Sequence, residues 1–121
     1  MVTTEPENLA RQLLAAMLEH ANQMSRLALS ELDGIDIMHT GCGHALIAGE
    51  AMLPGYITRT ISGPIDDKDR EAIIGGLISE EVFGDEAVAR WFLEHRQVFP
   101  VFASYVMHLE CMRLAALRIL T

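Results

Sequence analysis

From Thr4 to Leu32 the chain carries one unbroken helical period, and a rod of that length dictates what the remaining residues can do. Thr4-Glu5-Pro6-Glu7 reads as a capping box, in which the Thr4 hydroxyl and the Glu7 carboxylate each satisfy a free backbone N–H and Pro6 is tolerated in the first turn. Glu7 and Arg11 stand one turn apart and can pair. Leu9, Leu13, Met17, Met24 and Leu27 share a stripe, flanked by Ala10, Leu14, Ala21, Ala28 and Leu32. Gln12, Glu19, Asn22, Gln23, Arg26 and Ser30 fall opposite. Asp33-Gly34 is the stop, because Gly34 accepts the left-handed conformation of a helix end. A helix of about 28 residues is about 42 Å long. It is either a spine for the other elements or an arm into a partner subunit. His20 lies within the stripe and is expected as a core histidine hydrogen-bonded to a neighbour.

The far end of the chain carries a second long helix. Val98-Phe99-Pro100 bends into it, with Pro100 in the first turn, and it runs to about Leu120. At about 100° per residue, one apolar arc holds Val98, Val101, Phe102, Tyr105, Leu109, Met112, Ala116, Ile119 and Leu120. Val106, Met107, Leu114 and Leu117 form another, broken only by Glu110 and Arg113. Ser104, His108, Cys111, Ala115 and Arg118 make a narrow stripe of small and polar residues between them. A helix apolar on nearly all sides is central in its own fold or shared with another chain.

Between these rods the pattern is broken into short pieces. Ala45 to Leu53 reads as a short helix ended by Pro54-Gly55. Tyr56 to Ser62 alternates apolar and polar residues, but no second strand exists to pair with it, so an extended loop is expected, closed by Gly63-Pro64. Asp66 caps a helix to about Ile78 that Gly75-Gly76 weakens in its last turn. A short turn begins at Ser79-Glu80-Glu81, and Asp85 caps a helix from Glu86 to about Gln97. The fold class is therefore all-α: a single domain over residues 1–121, a bundle of five or six helices framed by the first and the last.

Charge narrows the partners. The formal net charge is −8, and Lys68 is the only lysine. Nucleic acid demands a basic surface and is not an expected partner. Ala72, Gly76 and Val82 have the spacing of a helix-turn-helix, but its second helix would present Glu80, Glu81, Asp85 and Glu86 to phosphates. Those four acids are instead the candidate face for a basic protein partner. No stretch of about twenty apolar residues suits a membrane span. Thr3-Thr4-Glu5-Pro6-Glu7 is not the basic-then-apolar opening of a secretory signal, so a cytoplasmic location with free thiols is expected.

Chemically capable residues crowd in one place, Met38-His39-Thr40-Gly41-Cys42-Gly43-His44. His39-x-x-Cys42 repeats in His108-x-x-Cys111, and two such pairs, with His44 in reserve, could close a tetrahedral zinc site. A thiol at Cys42, beside histidines and leading into a helix, could also be reactive. The weight of the sequence lies elsewhere, with a non-catalytic acidic protein that binds another protein: an adaptor, inhibitor, immunity protein or phage-encoded antagonist. A homodimer is expected, joined through Val106, Met107, Glu110, Arg113, Leu114 and Leu117, with Glu110 of one chain meeting Arg113 of the other. Zinc on His39, Cys42, His44, His108 and Cys111 is the alternative.

Overall fold

The computed structural model describes residues 5–32, 52–84 and 86–121. Thr4, Asp33, Gly34 and Asp85, with the helix expected to begin at Ala45, lie wholly or largely outside them. Among the described residues the fold is all helical: α1 (Glu5–Ser30), α2 (52–61), α3 (Asp67–Ser79), a 3-10 turn (Val82–Gly84), α4 (Glu86–His95) and α5 (Pro100–Leu120). The long first and last helices are its frame, and their mutual packing is the most extensive among the described elements.

The core line of α1 is drawn by Leu14, Ala21 and Ala28, spaced seven apart and all buried. Two of these three are alanine, so α5 can set its large side chains against them. Tyr105, Leu109 and Met112 are buried on α5, along with Ala116. The stripe read from the leucines is thus displaced by about a quarter of a turn. Its Met17 and Met24 are half-buried, while Leu9, Leu13 and Leu27 face out. Arg11 does pair with Glu7, at 3.1 Å. It also donates to the carbonyl of Thr60 and so ties α1 to the end of α2.

Residues 52–61 overturn the expected break at Pro54-Gly55 and the extended loop after it. Pro54 sits in the opening turns, where its missing N–H costs little. Leu53, Ile57 and Thr60 are buried at i, i+4 and i+7, which is a helix face. The polar residues of the apparent alternation bond back to the helix. Thr58 Oγ1 donates to Pro54 O at 2.8 Å, Thr60 Oγ1 to Tyr56 O and Ser62 Oγ to Thr58 O, both at 2.9 Å.

Asp66 caps α3, its Oδ1 accepting from Asp69 N at 2.8 Å. The last turn, with Gly75-Gly76, holds to Ser79. Gly76 is buried under the Tyr56 ring, which occupies the space where a Cβ would stand. In α4, Val88 and Phe92 face inward, and Phe83 meets the Phe92 ring edge-on at 5.0 Å between centroids. The turn that begins α5 has no side-chain cap from Phe99. Glu31 serves instead: its Oε2 accepts from Phe102 N at 2.6 Å, placing a carboxylate from the end of α1 on the positive end of α5.

Candidate functional site: an outward apolar ridge beside a small-residue groove

Leu9, Leu13 and Leu27 are 57 %, 63 % and 63 % exposed. They recur at helical spacing on one side of α1, and Leu9 and Leu27 are about 27 Å apart along the axis. Between Leu13 and the facing part of α5 lies an open groove of about 340 Å³. Its walls are Ala10, Leu13 and Met17 from α1 and Ala115 and Ile119 from α5, with Glu7 and Arg118 among its lining residues. The alanines leave room for another molecule's side chains, and the lining is overwhelmingly apolar.

The apolar arc expected on α5 divides. Met107 and Leu114 are exposed, and Leu117 is half-buried against the core. Val106 and Arg113 lie inside this chain, at 2 % and 4 % exposure, so they present no surface to a second one. Nor does Glu110 wait for an arginine across an interface. Arg113 Nη2 donates to Glu110 Oε1 at 2.5 Å and Arg113 Nε to Oε2 at 2.9 Å, a bidentate pair within one turn of α5. Arg113 Nη1 donates to Leu77 O at 3.3 Å. The hydrogen bonds to Glu110 hold the Arg113 guanidinium above its ordinary pKa against the opposing effect of burial. Such a pair removes charge from the surface and fixes α5 against α3.

The acidic face is also more committed than its composition implies. Glu86 pairs with Arg90 at 3.0 Å, and Glu81 stands 4.0 Å from Arg113. Glu80 is half-buried, and desolvation raises its pKa above the ordinary value. Asp85 lies outside the described residues.

His39, Cys42 and His44 lie outside the described residues as well. Cys111 is an exposed free thiol. Among the described residues no group of three or more His, Cys, Asp or Glu gathers as a metal site. His108 turns instead to α1: its Nε2 donates to Met17 O at 2.7 Å, and its ring meets His20 edge-on with centroids 5.1 Å apart. His20 is exposed, not the core histidine expected. No spacing rule links residues 20 and 108, and only the antiparallel register of α1 and α5 brings them together.

No described helix is long and apolar enough to cross a membrane. The chain matches no protein-family model, and no curated protein or solved structure is detectably similar to it.

Proposed function

We propose that this is a non-catalytic binding protein that acts by docking another protein on the α1 ridge and the adjoining groove. The observation that carries the reading is the row of exposed leucines on α1. Three large apolar side chains left in water on one face of a helix forgo burial worth about 1.5–3 kcal/mol for each one a partner covers completely. A monomer gains nothing by keeping them there, whereas an interface does. An adaptor, inhibitor, immunity protein or antagonist would each use such a surface. The second long helix supplies a further patch in Met107 and Leu114, the part of the proposed homodimer surface that faces solvent. Glu81 and Glu86, although each has an arginine of its own chain nearby, keep exposed carboxylates that would suit a basic partner surface.

The test pairs the wild-type chain with a Leu13→Glu/Leu27→Glu variant, first checked for unchanged helicity. Both are used as bait in extracts of the native host, and both are weighed by light scattering at micromolar concentration. A protein retained by the wild type and lost by the variant supports docking on α1. An identical set of captured proteins from both overturns it. A wild-type mass that stays at 13.4 kDa removes the homodimer.

A further inference from the structure

We propose that His20 and His108 form a two-histidine site for a borderline divalent metal ion, zinc above all. The proposal does not depend on the docking reading. Its first support is distance. Zinc binds an imidazole nitrogen at about 2.0–2.1 Å, which puts the ring centre about 3.2 Å from the ion. Two rings held at a tetrahedral angle then have centres about 5.2 Å apart. The centres of His20 and His108 are 5.1 Å apart. That separation, with the ring planes at 81°, is one that joint ligation allows.

The second support is the way His108 is held. A backbone carbonyl only accepts, so the contact with Met17 O puts the ring proton on Nε2 and leaves the lone pair on Nδ1. One nitrogen anchored to a carbonyl and the other free is the usual outer support of a metal-binding histidine, fixing both tautomer and ring orientation. His20 is exposed, and among the described residues its ring nitrogens have no hydrogen-bond partner. One histidine is fixed and the other can adjust.

The third support is the frame. The two residues come from α1 and α5, which pack extensively on each other, so the separation of their backbones is set by the core and not by a loop. Imidazole suits zinc, nickel and copper, and suits magnesium or calcium poorly. Among the described residues no third ligand stands with the pair, so water fills the remaining positions and the ion exchanges readily.

The experiment is calorimetric titration of the full chain, without a polyhistidine tag, with zinc sulfate in a non-coordinating buffer. One zinc per chain is expected, with no heat from magnesium sulfate. His20→Ala removes an exposed side chain and should leave helicity intact while weakening zinc binding about tenfold or more. His108→Ala should weaken it as much, with helicity measured alongside because the bond to Met17 O is lost too. Cys111→Ser should bind as the wild type does. Zinc binding by His20→Ala equal to wild type would place the ion elsewhere and overturn the proposal, as would no zinc uptake by the wild type.

Discussion

The two long helices differ in apolar content, α5 being the richer, and differ more sharply in what becomes of their large side chains. α5 is drawn inside: Phe102, Tyr105, Val106, Leu109, Met112, Ala116 and Leu120 are buried, and even Arg113 goes with them because Glu110 is there to pair it. α1 buries one narrow line, Leu14, Ala21 and Ala28, and leaves leucines on its outer side. Composition sets part of this, but a leucine is equally apolar on either helix, and Leu109 and Leu120 are buried where Leu9, Leu13 and Leu27 are exposed. What decides the rest is how many neighbours surround the helix. Among the described elements α5 is packed against both α1 and α3, whereas α1 packs on α5 and touches the end of α2 through Arg11. Among the described residues α1 is covered on the face toward α5, and the flank that carries Leu9, Leu13 and Leu27 is left open.

The sharpest way to break this comparison is to shave the same amount of side chain from each helix. Met112→Ala removes a side chain with no exposure from α5 and should cost about 2–5 kcal/mol in denaturant unfolding. A loss under about 1 kcal/mol would mean that α5 is not the pillar described. Next in size is the link between the two helices. Glu31→Ala leaves the first turn of α5 uncapped and should cost about 0.5–2 kcal/mol. Glu31→Gln keeps an acceptor oxygen but loses the charge, and should recover part of that cost.

A smaller effect is expected where charge is drawn inward without a partner to hold it. Burial raises the Glu80 carboxyl above its ordinary value of 4.5, so the folded chain holds a proton there more tightly than the unfolded one. The contribution of Glu80 to stability is therefore fullest at low pH and is lost as pH rises through the folded-state pKa. Glu80→Gln should raise the melting temperature at neutral pH, and the gain should close when both proteins are melted near pH 4. A gain that is the same at both pH values would point to something other than ionisation. The smallest change in stability is expected on the outer ridge. Leu13→Ala or Leu27→Ala should move unfolding by no more than about 0.5 kcal/mol in dilute protein. A cost close to that of Met112→Ala would show that these leucines are covered in solution.

The frame was legible in the sequence because both long helices announce themselves by period and by proline at the start. The capping role of Asp66 and the pairing of Glu7 with Arg11 were legible for the same reason: they are local. What escaped was set at a distance. The face of α1 that turns inward is marked by alanines, which carry little hydrophobic signal and are chosen for how closely α5 can approach. Residues 52–61 alternate in polarity and so imitate a strand, but Thr58, Thr60 and Ser62 spend their hydroxyls on the helix backbone. Glu31 on the first turn of α5, Tyr56 over Gly76, and His20 beside His108 join residues far apart in sequence. A pattern read along the chain has no access to such pairs. Of the apolar arc expected on α5, Met107 and Leu114 face solvent as read, while Val106 and Arg113 turn inward because α3 stands on that side.

The contact between Glu31 and Phe102 spans 71 positions of chain, and the whole α1–α5 interface shares that long reach. During synthesis, α1 is complete long before α5 exists. At about 5–20 residues per second, the alanine line of α1 waits on the order of 5–20 s for its partner. Its outer leucines are unshielded throughout, so for that interval the helix is apolar around much of its circumference. The nascent chain is therefore most vulnerable to aggregation before its last helix emerges, and a factor that holds α1 in the meantime would set how much protein survives.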